Sequence, residues 1–232
     1  MSRTVILVDH PLGKRDDRAS RLLAELGYRI QWCCPGRGEA LPEPGTEHAG
    51  AVVYGGPESA NDEAEKPYIR TELDWIEDWL KSGKPFLGLC LGGQMLAKVL
   101  GAPVAPHPDG LVEIGWVPLA PADGDGSFLD GVSHAYQWHR EGFELPSGAR
   151  RLAEGTVFQN QAFRYDRNTY AIQFHPEVSQ SVMRRWLREA AHMLDLPNAQ
   201  PRERQLADAA RHDRPMAAWL RQFLENWLSD AT

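Results

Sequence analysis

Cys90, set between two glycines, is the residue in this chain best placed for covalent chemistry. It lies in Gly88-Leu89-Cys90-Leu91-Gly92, after the apolar run Phe86 to Leu89 and before a helical pattern through Leu96, Val99 and Leu100 that stops at Gly101. A buried strand that reverses into a helix within a residue or two strains its corner residue and pushes that side chain outward. Glycines on both sides remove the side chains that would collide there. This is the nucleophile-elbow arrangement, with sulfur in place of oxygen. The helix start also favours thiolate over thiol, so the sequence predicts a lowered pKa at Cys90.

A cysteine nucleophile needs a base within hydrogen-bond reach, and the base needs an orienting acceptor. His175-Pro176-Glu177 offers both. The proline fixes the backbone, so the carboxylate can be held against the far imidazole nitrogen. Acyl chemistry also needs an oxyanion site. The N–H of Leu91, just past the nucleophile, is one donor, and Gly56 in Gly55-Gly56-Pro57 is a second that no side chain blocks. Each stretch alone has an ordinary explanation: a buried structural cysteine, a turn, a strand end. Their joint occurrence at the carboxyl ends of predicted strands, which line one crevice in an open parallel sheet, gives them weight.

The elements that must position these groups follow from periodicity. Thr4 to Val8, Tyr28 to Cys33, Ala51 to Tyr54 and Phe86 to Leu89 read as strands. Asp16 to Leu26, a segment beginning after Pro67, and the segment after Cys90 read as helices. That alternation predicts an α/β fold: a mostly parallel open sheet with helices on both faces. Val112 to Leu119, Ala149 to Ala153, Val157 to Tyr165 and Thr169 to Phe174 read as further strands that extend the sheet and add an antiparallel portion, with a hairpin loop at 166–168. Beyond residue 180 the chain turns helical, and Pro197, Pro201 and Pro215 are expected to break that tail into pieces. The expected organisation is a domain over 1–180 with a helical extension over 181–232 packed on it. The extension's Trp219, Phe223 and Trp227 form a stripe that packs on its own domain or docks a partner.

The 232 residues carry a net charge of −7 and 42% hydrophobic residues. The acidic balance argues against a nucleic-acid face, and no apolar run reaches the length of a membrane span. The first residues lack the features of a signal peptide. Three cysteines, two of them the adjacent Cys33 and Cys34, make no disulfide framework and point to a reducing cytoplasm. No metal-ligand spacing is evident; His134 and His139 are a weak candidate pair.

Gly-Gly-Pro after a strand, then Gly88 to Gln94 (GLCLGGQ), then Gln173 to Glu177 (QFHPE) resemble the class I, or triad-type, glutamine amidotransferase family over roughly Val5 to Val178. Glu113 to Trp116 (EIGW), Trp138-His139 and Asn160 to Phe163 (NQAF) are similar to its stand-alone, GMP-synthase-like branch. The resemblance implies a flavodoxin-like architecture and a Cys90–His175–Glu177 triad that hydrolyses the glutamine side-chain amide through a glutamyl thioester and releases ammonia. It implies substrate contacts at Gln94, His139 and Gly55, and no cofactor or metal. Two departures stand out. The family often follows the histidine with Gly-Asp, where Arg140-Glu141 stand here, and Gly93 replaces a larger residue.

No Gly-rich ATP-binding loop is present, so any acceptor-using synthase must be another polypeptide. Two other readings stay open: a γ-glutamyl hydrolase or peptidase using the same triad, and a regulatory or binding domain without chemistry. Self-association is likewise open.

Overall fold

The computed structural model describes residues 3–122 and 127–229. In chain order the elements are β1 (Thr4–Val8), α1 (Arg18–Glu25), β2 (Arg29–Cys33), β3 (His48–Val53), α2 (Pro67–Lys81), β4 (Phe86–Leu89) and α3 (Leu91–Val99). They are followed by β5 (Val104–Pro106), β6 (Glu113–Pro118), β7 (Ala120–Pro121), β8 (His134–His139), β9 (Glu141–Phe143), β10 (Arg150–Glu154), β11 (Asn160–Tyr165) and β12 (Thr169–Ile172). Two long helical segments close the chain, α4 (Gln180–Glu189) and α5 (Arg202–Ser229).

The main sheet has eight strands in the order β2-β1-β3-β4-β12-β11-β10-β7. The first five run parallel and the rest alternate antiparallel. The alternation of side chains along each strand divides the core into two layers. Val5 and Leu7 of β1, Leu87 and Leu89 of β4 and Ile172 of β12 face a cluster built from Leu22 and Leu23 of α1 and Trp219, Leu220 and Leu224 of α5. Ile6 and Val8, Phe86 and Ala171 face the other cluster, with Ile76 and Trp79 of α2 and Met95 and Leu96 of α3. The strands are buried on both faces, which is why their sequences read as continuous apolar runs.

Local signals set the helix ends. Asp17 caps α1 by accepting from the Ser20 N–H at 2.8 Å, and Pro67 opens α2 with its φ already helical. Gly27 and Gly101 stop α1 and α3 in the left-handed region, at φ of 89° and 84°.

Three expectations need correction. Val112 to Leu119 does not extend the main sheet: β6 pairs antiparallel with β8 in a separate two-stranded ribbon. Residues His134 to His139, not foreseen as a strand, supply the other half. β8 is buried on both sides rather than alternating, so no period-two pattern betrays it. Third, Pro215 does not break the tail, because α5 continues through it. An interior proline costs a helix about 3 kcal/mol. Here the loss is offset by a buried face of Met216, Trp219, Leu220, Leu224 and Trp227.

The aromatic stripe lies against the chain's own sheet. Trp219 Nε1 donates to the Phe128 carbonyl at 2.5 Å and Trp227 Nε1 to the Asn168 carbonyl at 2.9 Å. Trp219→Ala is therefore expected to destabilise the protein by about 3–5 kcal/mol in urea unfolding. Leu12→Ala, at a residue 70% exposed, should stay within about 0.5 kcal/mol of the parent.

Candidate active site

Cys90 occupies the corner between β4 and α3 with φ 51° and ψ −107°, a conformation that strains any residue with a side chain. Close backbone packing forces this geometry. A Cβ on Gly88 would lie 2.4 Å from the Gly92 carbonyl oxygen, and one on Gly92 would lie 2.1 Å from the Val53 carbonyl oxygen. Both flanking glycines are thus sterically required. The Cys90 N–H donates to the Ile172 carbonyl at 2.7 Å and the Gly92 N–H to the Tyr54 carbonyl at 3.2 Å, which ties the corner to β12 and to the end of β3. A Cβ at Gly93 would meet the Gly88 and Ile172 carbonyl oxygens at 3.2 Å, so α3 sits hard against the sheet here.

β12 lies beside β4, so the residues that follow it arrive next to Cys90. His175 Nδ1 is 2.7 Å from Glu177 Oε1, and both side chains are buried. Burial alone would push the proton off the imidazole, but the Glu177 and Cys90 side chains overcome it and raise the His175 pKa. Nδ1 must donate to the carboxylate, and His175 Nε2 is buried without a hydrogen-bond partner. Gly55 marks where thiol and imidazole meet: a Cβ there would be 2.9 Å from His175 Cε1 and 3.3 Å from Cys90 Cβ. The strand ends thus converge as expected, with Cys90, His175, Glu177 and Gly55 in one cluster. Leu91 opens α3, so its N–H is among the first-turn donors that have no intrahelical acceptor.

The His175 turn is anchored from several sides. Its N–H donates to the Tyr136 carbonyl at 2.8 Å, and the Arg18 N–H donates to the Glu177 carbonyl at 2.8 Å. Arg18 also reaches the Pro176 carbonyl and pairs with Asp213 of α5. Trp186 of α4 meets the His175 ring edge to face at 5.0 Å. The helical tail therefore forms part of the wall around the imidazole.

A buried polar chain runs outward from the sulfur. Gln173 Nε2 donates to Cys90 Sγ at 3.6 Å. Gln94 Nε2 donates to Gln173 Oε1 at 3.2 Å and to the Glu141 carbonyl at 2.8 Å. His139 is bonded at both ring nitrogens, to the Glu141 carbonyl at 2.9 Å and to Glu113 Oε2 at 3.0 Å. Gln94 and His139 thus lie in the same network as the thiol, with the Gln94 amide nitrogen and both His139 nitrogens bonded within the protein. Glu141 also accepts from Ser59 Oγ at 2.7 Å, so the altered Arg140-Glu141 segment ties β9 to the loop after Gly55-Gly56. Gln173 stands at the head of the Gln173 to Glu177 stretch, but nothing local marks its side chain as a partner of the thiol; that contact appears only in the structure.

His134 does not join His139; it stacks on His212 of α5 at 4.2 Å. Among the described residues no group of three His, Cys, Asp or Glu side chains could hold a metal ion, and no helix is long and apolar enough to cross a membrane. A cavity of about 330 Å³ lined by Arg3, His48, Lys84 and Arg167 lies at the opposite, amino-terminal end of the sheet. It is remote from the thiol.

Comparison with known proteins agrees with this fold. The family described as glutamine amidotransferase class-I matches residues 22–193. A glutamine amidotransferase-like protein of Salmonella typhimurium is 33% identical over 165 residues, covering 66% of each chain. A subunit of a glutamine-hydrolysing GMP synthase of Ignicoccus hospitalis is 31% identical over 143 residues, 60% of this chain and 72% of that one. A crystal structure of a glutamine amidotransferase from Thermotoga maritima superimposes with a TM-score of 0.87 at 31% identity, covering 98% of this chain and 99% of that one. The chain spans 66% of the Salmonella relative's length and 24% of that of the GMP synthases of Prochlorococcus marinus it also matches. The fold, the strained cysteine corner and these likenesses lead to one conclusion: the chain belongs to the class I glutamine amidotransferase family.

Proposed function

We propose that this protein hydrolyses the side-chain amide of glutamine, with Cys90 as nucleophile, His175 as proton carrier and Glu177 as its orienting partner. The observation that carries the reading is the meeting of Cys90 and His175 at Gly55, with Glu177 on the far imidazole nitrogen. The Cys90 thiolate adds to the amide carbon. The N–H groups of Leu91 and Gly56 hold the resulting oxyanion, and Gln173 steadies the sulfur. Protonated His175 gives its proton to the departing nitrogen, ammonia leaves, and a glutamyl thioester remains. Water, deprotonated by His175, then attacks the thioester and releases glutamate and free thiol. Gln94, His139 and Gly55 contribute to the substrate wall, the first two through the Glu141 carbonyl they hold.

The catalytic unit in this reading is residues 1–180, and residues 181–232 form an extension that completes the wall through Trp186. In this reading the released ammonia is available to a synthase carried on another polypeptide. The Ignicoccus relative, named as one subunit of a synthase, supports that arrangement. Free Cys33, Cys34 and Cys90 suit a reducing compartment such as the cytoplasm.

Glutamate release from glutamine by the full chain, with and without a synthase, is the direct test. Cleavage of γ-glutamyl peptides with glutamine untouched would replace this reading by a γ-glutamyl hydrolase. Cys90→Ala is expected to abolish turnover, and Glu177→Gln to lower kcat by about 10²–10⁴-fold with the fold intact by circular dichroism. A Cβ at Gly56 would lie 2.5 Å from Glu58 Oε2 and 2.7 Å from His10 Cγ. Gly56→Val should therefore displace one oxyanion donor and cost about 3 kcal/mol in kcat/KM. Haloacetamide labelling followed by peptide mass mapping should modify Cys90 first, because burial raises the thiol pKa of Cys33 and Cys34.

A further inference from the structure

His10 takes no part in the chemistry above, yet it sits directly behind the Gly55-Gly56 loop. It follows β1, is 1% exposed, and both its ring nitrogens are bonded. Nδ1 is 3.1 Å from the Gly55 carbonyl oxygen, and Nε2 is 3.0 Å from Glu72 Oε2 of α2. A carbonyl and a carboxylate only accept, so the ring donates at both ends and carries a positive charge. Burial works against that charge, but Glu72, with Glu58 nearby, prevails and raises the His10 pKa. Glu58 is itself fixed by the Tyr68 hydroxyl at 2.8 Å. The closeness of a hypothetical Gly56 Cβ to His10 and Glu58 shows that the loop rests on this cluster.

A trans peptide is planar, and its carbonyl and N–H point in opposite directions. No cis bond occurs among the described residues, so the Gly55 carbonyl and the Gly56 N–H form such a pair. Holding the carbonyl toward His10 turns the Gly56 N–H away from it. Gly55, in the same loop as Gly56, lies against His175 and Cys90. We propose that His10 is a positioning residue: its bond to the Gly55 carbonyl aims the Gly56 N–H at the site where the oxyanion forms. Two adjacent glycines have wide conformational freedom, so this peptide needs an external clamp to stay in one orientation. The clamp acts on the acylation rate and leaves substrate binding unchanged. The inference rests on the thioester reading above.

Two substitutions in the full chain separate the two bonds. His10→Asn places an amide nitrogen near the Nδ1 position, keeping the donor to Gly55 and losing Glu72. His10→Gln reaches the Nε2 position, keeping Glu72 and losing the donor to Gly55. The expected result is a kcat for glutamine hydrolysis lowered about 10–100-fold in His10→Gln with KM within about twofold, and restored to within about threefold of the parent in His10→Asn. Alkylation of Cys90 by iodoacetamide forms no oxyanion and should proceed at the parent rate in both. Crystal structures should show the Gly55 carbonyl turned in His10→Gln and held in His10→Asn. The proposal is overturned if His10→Gln keeps the parent kcat, if His10→Asn falls as far as His10→Gln, or if the peptide orientation is the same in both. Should the parent hydrolyse no glutamine, the thioester reading fails, and the two crystal structures decide the clamp by themselves.

Discussion

The site depends on how closely the first turn of α3 approaches β3 and β4. Gly92 packs against the Val53 carbonyl and Gly88 against the Gly92 carbonyl, at separations that leave no room for a methyl group. With that approach enforced, the chain has nowhere to turn except through Cys90, which takes a positive φ. Such strain costs of order 1–3 kcal/mol and persists only when the surroundings over-determine it. Here the surroundings are a sheet buried on both faces and the cross-strand bond from the Cys90 N–H to Ile172.

Around that corner the structure concentrates polarity where a globular core ordinarily avoids it. Glu177 Oε2, His175 Nε2, Glu113 Oε1, Gln137 Oε1 and Glu72 Oε1 are all buried atoms without a hydrogen-bond partner. Each such atom costs roughly 1–3 kcal/mol in an otherwise satisfied interior. They cluster among the Gln173, Gln94, Glu141 and His139 network and beneath the Gly55 loop, while the two apolar layers flanking the sheet carry the stability. Asp17 Oδ2 at the α1 cap and Trp116 Nε1 in the β6–β8 ribbon are unpartnered as well, so the set is densest near the corner without being confined to it.

How much of this is legible in the sequence follows from whether a signal is local. Cys90 can be read because its glycines and its strand-to-helix switch fall within five residues. His175 and Glu177 can be read because a proline fixes their spacing at a strand end. Gln173 requires knowing that β12 lies beside β4, and His10 requires knowing that Glu72, on a helix far along the chain, meets it. No pattern within a window encodes those pairings. The tail illustrates a different failure. The propensity of Pro215 to break a helix is real, but the tertiary burial of Trp219 and Trp227 outweighs it. The β6–β8 ribbon escapes because burial on both sides of β8 erases the alternation by which strands are recognised.

The pairing of β4 with β12 has a consequence for synthesis of the chain. The Cys90 thiol leaves the ribosome long before the His175 imidazole does, and the two meet only after the intervening ribbon and hairpins have been made. A nascent or truncated polypeptide ending before β12 holds the Cys90 thiol without His175 beside it. The encounter of Cys90 with His175 and the insertion of β12 between β4 and β11 are thereby a single event.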